Sequence, residues 1–155
     1  MKLDLLGYNK KAIPIIAQWY FDEWGYLAQE NSIEKALQNL QTYLNTDKIP
    51  LMVIAKNEQE ILGTAQLKYR EMSIYPEKEH WLGGVYVSKD HRGKRVAEKI
   101  ILEVISIAKK LAVQKLFLQT ENLSGGLYAR MGWKPIEKVN YHRRNVLVME
   151  KIITD

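Results

Sequence analysis

Read for apolar and polar positions alone, the chain alternates between short apolar runs and longer stretches of helical period. "KLDLL" at residues 2–6 predicts a short first strand. From about Lys11 to Trp24, the residues Ile13, Ile16, Trp19, Tyr20 and Trp24 fall near helical spacing. Pro14 is compatible with that helix because first-turn N–H groups have no helical partner, and Gly25 is its expected stop. A second helix is expected after Asn31 or Ser32, both capping types, with Glu34 as a partial capping box for Asn31. Its apolar face is Ile33, Ala36, Leu37, Leu40, Tyr43 and Leu44.

"PLMVIAK" and "EILGTAQLKYR" predict strands joined as a hairpin by the polar "NEQ". "HWLGGVYVS" predicts a fourth strand carrying adjacent Gly83 and Gly84. Glycine inside a strand marks a bulge or a close backbone approach; relief of crowding against Trp81 is the alternative. The strongest helical pattern runs from about Lys94 to Leu111, where Ala97, Ile100, Ile101, Val104, Ile105, Ala108, Leu111 and Ala112 make one stripe. "KLFLQT" reads as a buried strand and "GGLYARM" as a short helix ended by Gly132. "WKPIEKVNY" and "NVLVMEKI" read as a closing hairpin around "HRR".

The predicted order is β-α-α-β-β-β-α-β-α-β-β, about seven strands and four helices. A strand, a long helix and a strand in the middle predict one parallel crossover within a mostly antiparallel sheet, an α/β (α+β) architecture. No repeat, low-complexity tract or linker interrupts the pattern, so residues 1–155 are expected to form a single domain.

Composition narrows the chemistry. At 18.1 kDa the chain can bury a real core. It has no cysteine, which removes disulfides, thiolate nucleophiles and Cys-based zinc sites together. Its three histidines, His80, His91 and His142, stand at no metal-ligand spacing, so no metal is expected. Asp4, Asn9, Lys10, Lys11 and Asp22 break the N-terminal apolar run, and no stretch approaches the ~18 apolar residues of a membrane span. The expectation is a cytoplasmic protein with no membrane partner.

The net charge of +5 gains meaning once it is located. Between Ser88 and Lys115 stand eight bases (Lys89, Arg92, Lys94, Arg95, Lys99, Lys109, Lys110, Lys115) and three acids (Asp90, Glu98, Glu103), an excess equal to that of the whole chain. Arg92, Gly93, Lys94 and Arg95 fall where strand gives way to helix, and helix N-termini attract anions. An anionic ligand is expected there; a solvated, lysine-rich helix face is the competing reading.

Two motifs on this framework resemble the GNAT superfamily of acetyl-CoA-dependent N-acetyltransferases, and the resemblance spans essentially the whole chain, most strongly Trp81 to Trp133. The family's loop between fourth strand and third helix is matched at Arg92 and Ala97 in the run Arg92, Gly93, Lys94, Arg95, Val96, Ala97. It departs at Arg95, where the family usually has glycine. The second motif is "LYARMGW", with Tyr128 before Gly132 and Trp133. The resemblance implies that the loop cradles the coenzyme pyrophosphate, and that the backbone of Val85 and Val87 pairs with the pantetheine arm where the fourth and fifth strands part. It also implies a coenzyme contact at Asn122 and an acid at Tyr128 toward the departing sulfur.

Physical chemistry supports that reading of the loop. Successive N–H groups at a helix start bind phosphate without side-chain chemistry, Gly93 admits close approach, and Arg forms fork-like phosphate contacts. Arg95 is either strained, if its position needs positive φ, or an added phosphate contact; the second is the expectation. Acetyl transfer to an amine also needs a base. The family often uses Glu on the fourth or fifth strand, yet the fourth offers Leu82, Gly83 and Gly84. Glu121, Glu23, His80 and His91 are the candidates.

An acceptor pocket is expected between the first two helices, where "WYFDEWGYLAQE" supplies Trp19, Tyr20, Trp24 and Tyr26 with Asp22, Glu23 and Glu30. Aromatic and acidic groups suit a cationic amine; Trp24 and Tyr26, near the loop, are the expected contacts. The implied function is N-acetyltransfer from acetyl-CoA to a primary amine. A non-catalytic coenzyme A sensor is the alternative, and a basic nucleic-acid-binding domain a remoter one, since no nucleic-acid motif appears. Monomer and homodimer are both open.

Overall fold

The computed structural model describes residues 1–27 and 32–153. Its strands are β1 (Lys2–Leu5), β2 (Leu51–Lys56), β3 (Ile61–Tyr69), β4 (His80–Val87), β5 (Lys115–Thr120), β6 (Lys134–Tyr141) and β7 (Arg144–Ile152). Its α-helices are α1 (Ile13–Trp24), α2 (Ile33–Leu40), α3 (Val96–Lys110) and α4 (Gly126–Arg130). The strands form one sheet in the order β1-β2-β3-β4-β5-β7-β6. β4 and β5 are parallel, joined by α3, and every other neighbouring pair is antiparallel. The expected α/β architecture is the one that forms.

Alternation along each strand sorts side chains onto two faces. In β2, Leu51, Val53 and Ala55 join the core under α3, while Met52 and Ile54 join the core under α1 and α2. Of the stripe predicted for α3, Ile100, Ile101, Val104 and Ala108 are buried, Ala97, Ile105 and Leu111 half-buried and Ala112 exposed, while Val96 is buried beside them. A third core covers the same face as α1 and α2 at the other end of the sheet. There, Met72 and Tyr75 from the loop between β3 and β4 pack on Trp81, Phe117, Val146 and Val148. No helix performs that task, so a ten-residue connection (70–79) takes the place of one.

Helix ends follow local chemistry with one departure from expectation, at the end of α2. Ser32 caps α2, its Oγ accepting from the Lys35 N–H at 3.1 Å; the Asn31 cap and Glu30 lie outside the described residues. α1 stops at Trp24 with Gly25 as its C-cap, as expected; the φ of Gly25 is −56°, right-handed, and a 3-10 turn over Gly25–Leu27 follows. The second helix ends at Leu40, with Gln41–Tyr43 as a 3-10 turn, so Tyr43 and Leu44 pack from beyond it.

The double glycine makes a bulge. Gln66 pairs with Gly83 and Thr64 with Tyr86, so Gly84 and Val85 stand opposite Ala65 alone. On the other edge of β4, Trp81 opposite Phe117 is the one register pair with β5. Beyond it the two parallel strands part. Among the described residues, no helix is long and apolar enough to cross a membrane, and no three His, Asp or Glu side chains gather as a metal site.

Candidate active site

The parting of β4 and β5 opens a run of hollows from the start of α3 to the space under α1 and α2. At the α3 end lies a hollow of ≈ 540 Å³, and Val87, Arg92, Gly93, Arg95, Val96 and Ala97 are among its walls. Leu127, Arg130 and Met131 close it from the α4 side. Lys94 is exposed and does not line it. Arg92 donates from Nε to the Val87 carbonyl at 2.9 Å, with its guanidinium 5.3 Å from the centre of the Tyr86 ring. The arginine therefore ties the loop to the end of β4. Gly93 has φ +78°, the left-handed region that favours glycine, and a Cβ there would meet nothing within 4 Å.

Arg95 corrects the sequence expectation. Its φ is 63° and ψ 23°, at the residue that caps α3, so the position is left-handed. An L-residue there costs roughly 1–2 kcal/mol relative to glycine. The loop accepts that strain and gains a cation on the wall of the hollow.

A central cleft of ≈ 510 Å³ follows, lined by Val85 from β4, Leu118, Gln119 and Thr120 from β5, and Tyr128 from α4. Leu82 and Leu118 belong to the core under α3, whereas Gln66 and Gly83 share the opposite face. The cleft thus passes through the sheet. Tyr128 packs edge-on against Trp133, ring centres 6.2 Å apart. Burial, with the charge of Glu71 adding to it, pushes its phenol up to about 12. Asn122 also lines the cleft, but its Oδ1 accepts from the Ser124 N–H (3.1 Å) and Oγ–H (2.7 Å). It braces the turn into α4 as well as facing the cleft. Gln119 Oε1 and Arg144 Nε, both on residues lining this cleft, are buried with no hydrogen-bond partner among the described residues.

The four candidate bases separate. His80 pairs with Glu79 at 3.1 Å and packs at a tilt against Tyr69, ring centres 5.4 Å apart, lining none of these hollows. His91 has both nitrogens engaged, Nδ1 with Ser88 Oγ at 2.6 Å and Nε2 with Glu60 at 2.7 Å. Glu23 and Glu121 do line the central cleft; Glu121 pairs with Arg144 at 3.4 Å. Sequence reasoning missed a third carboxylate, Glu71, which lies on the same cleft 3.6 Å from Lys68 Nζ. It also missed Gln66, and named Tyr20 only as part of an expected acceptor pocket. The Tyr20 O–H donates to the Gly84 carbonyl at 2.6 Å, and burial, then the neighbouring Tyr43, then Glu71, drive its phenol well above the ordinary range against the opposing bonds of Thr64 and Gln66. The glycine pair was the available signal, because a missing side chain on an inward-facing strand position asks what fills the space.

On the far side, a hollow of ≈ 410 Å³ lies between α1 and α2, walled by Tyr20, Trp24, Lys35, Tyr43, Gln66 and Lys68 among others. Trp24, Tyr20 and Gln66 line both this hollow and the central cleft. Trp24 sits against Tyr20 at 5.2 Å and edge-on to Tyr86 at 6.3 Å. Tyr26 is not brought in: it is 69% exposed and lines neither space. Its position on the outward side of the 3-10 turn decides this.

Comparison with known proteins points one way. The model of the acetyltransferase (GNAT) family matches residues 13–133. A search of curated protein sequences finds no match. Among solved structures, the chain is similar to a ribosomal-protein-alanine N-acetyltransferase from Brucella melitensis, with a TM-score of 0.74 and 18% identity over 98% of this chain and 99% of that one. It is similar to an aminoglycoside 6'-N-acetyltransferase complexed with coenzyme A, with a TM-score of 0.77 and 11% identity over 100% and 98%. A Salmonella typhimurium chain solved with its cofactor acetyl-CoA gives a TM-score of 0.73 and 13% identity over 99% and 94%. At these identities the likeness to the solved structures is one of fold.

Proposed function

The chain belongs to the acetyltransferase (GNAT) family, and from that premise we propose that it passes the acetyl group of acetyl-CoA directly to a primary amine held beside the parted strands. The observation that carries this reading is the succession of hollows along the parted strands, from the α3 start to the central cleft at Tyr128, which shares Tyr20, Trp24 and Gln66 with the hollow between α1 and α2. The α3 end, with Arg92, Arg95 and Arg130, suits a phosphate, and the central cleft, with Glu23, Glu71 and Glu121, suits an amine.

The residues present fit the coenzyme. The start of α3 presents backbone N–H groups, with Arg92, Gly93, Arg95, Val96 and Ala97 around the hollow and Lys94 beside it. The free edge of β4 at Val85 and Val87 lacks a β5 partner and can take an extended arm as an added strand. Bound there, acetyl-CoA would supply the thioester that the amine attacks. Backbone N–H groups on that edge can meet the charge that develops on the carbonyl oxygen. Tyr128, protonated throughout the physiological range, donates a hydrogen bond toward sulfur. Asn122 holds the turn that positions α4, and Trp24 walls the acceptor.

Carboxylates of Glu23, Glu71 and Glu121 on one cleft favour an ammonium-bearing acceptor, and favour catalysis over a coenzyme-binding sensor. Arg92, Arg95 and Arg130 gather on the walls of one hollow, which favours a small anionic ligand over nucleic acid. A reaction drawing on acetyl-CoA makes the cytoplasm the proposed compartment, and one domain is the proposed working unit.

Calorimetric titration with acetyl-CoA tests the cradle. Micromolar binding, weakened about 10-fold or more by Arg92→Ala with Arg95→Ala, is expected from losing two charge-assisted contacts. No binding at millimolar coenzyme would overturn the reading. Thiol release is then followed with an alanine-leading peptide, the aminoglycoside kanamycin and spermidine, chosen from the amines named for the similar structures and from the acidity of the cleft.

A further inference from the structure

We propose that Glu71, carried by the loop between β3 and β4 into the space that the missing side chain of Gly83 leaves, takes the proton from the acceptor ammonium. This rests on the acetyl-transfer reading above. β4 carries no carboxylate of its own at the point where it parts from β5; it carries Gly83 and Gly84. A Cβ placed on Gly83 would stand 2.6 Å from Glu71 Oε1. The carboxylate therefore occupies the place a strand side chain would have filled, delivered from a different element.

The loop holds it there. Met72, the next residue, is fully buried, and Tyr75 nearly so. The Arg70 N–H donates to the Glu79 carbonyl at 2.9 Å, closing the loop's base, and Trp81 Nε1 donates to the Lys78 carbonyl at 2.7 Å. The Glu71 side chain is only 16% exposed, whereas Glu121 is 55% exposed and paired with Arg144. Glu23 is exposed too. A base must be held within reach of its proton, and Glu71 is the carboxylate held best.

Its neighbours come from every side. Lys68 on β3 faces it at 3.6 Å; burial opposes that ammonium's charge, but Glu71 and Tyr43 outweigh burial and lift it above its ordinary value. Tyr20 from α1 and Tyr128 from α4 both feel the Glu71 charge. The balance is then complete. An ammonium proton passes to a Glu71 oxygen, and the freed lone pair closes the C–N bond as the C–S bond breaks. The electron pair of that bond goes to sulfur, against the Tyr128 O–H. Sulfur ends protonated by the second nitrogen proton, and Glu71 returns its own to water, so ammonium and thioester give amide, thiol and one proton.

Moving the carboxylate tests the assignment. Gly83 lies outside the positive-φ region, and its other close neighbours are the flexible ends of Lys68 and Gln66, so a side chain fits once Glu71 is trimmed. Thiol release is measured with whichever panel amine the unaltered enzyme acetylates fastest, beside acetyl-CoA titrations. Glu71→Ala and the volume-keeping Glu71→Gln are each expected to lower kcat about 100-fold or more at pH 7. The deficit should shrink toward pH 9.5, where more amine is already neutral, while acetyl-CoA affinity holds within about 2-fold. Adding Gly83→Glu to Glu71→Ala should recover at least about 10-fold of the lost rate. Wild-type kcat and pH profile in Glu71→Gln would overturn the assignment and leave acetyl transfer standing. So would a folded, coenzyme-binding double variant no faster than Glu71→Ala. Failure of the unaltered enzyme on every panel amine would remove the transfer reading and the assignment together.

Discussion

With its phenol lifted to about 12, Tyr128 gives up a proton less readily than an exposed tyrosine. A thiol titrates near ~8.5, so full transfer from this phenol to a thiolate is uphill by about 3.5 units, roughly 5 kcal/mol. Its proposed part is then a hydrogen bond to sulfur rather than outright protonation. Tyr128→Phe should lower kcat by about 10- to 100-fold, toward the weak end for a positioned acid, with acetyl-CoA affinity nearly unchanged. Steady-state rates beside a calorimetric titration check both halves. At this scale the sequence disclosed Arg92, Gly93 and Tyr128 because short local motifs carry them. It did not disclose Glu71, whose place depends on the register that sets Gly83 beside Gln66, seventeen positions away. Tyr26 had suitable chemistry, but a 3-10 turn faces it outward.

Among elements, the start of α3 and the loop over 70–79 carry the opposing demands of stability and chemistry. Arg95→Gly removes a side chain from a left-handed residue, so it should raise unfolding stability by about 1 kcal/mol. The same change deletes a cation from the α3 hollow and should weaken acetyl-CoA binding by several-fold. Denaturant melts and titrations on one variant separate the two. Met72→Ala, at a fully buried site, should cost about 2–5 kcal/mol. It should also lower kcat more than acetyl-CoA affinity, because Met72 anchors the segment that presents Glu71. Strands and helices were legible from periodicity to within about two residues at most ends, since burial on a sheet or helix face repeats along the chain. The 70–79 loop has no period, and its packing against Trp81 and Phe117 is fixed by tertiary contact alone.

For the molecule as a whole, several buried phenols link stability to alkaline pH. Burial first and Glu137 second push Tyr75 up to about 12, alongside Tyr128. A folded-state value above the unfolded ~10 means that the unfolded chain loses these protons first. Stability should hold below pH 10 and fall as pH rises from 10 through 12. Urea midpoints at pH 8, 10 and 11 measure the fall, and Tyr128→Phe should make it shallower.

The opening through the sheet has a consequence for kinetic order. Reactants that enter from opposite faces need not wait for one another, and neither product has to pass the other on leaving. With no cysteine thiolate to carry an acyl group between half-reactions, the proposed direct attack requires both substrates to be present together. Double-reciprocal plots should intersect rather than run parallel, and dead-end inhibitors of either substrate should compete only with their own.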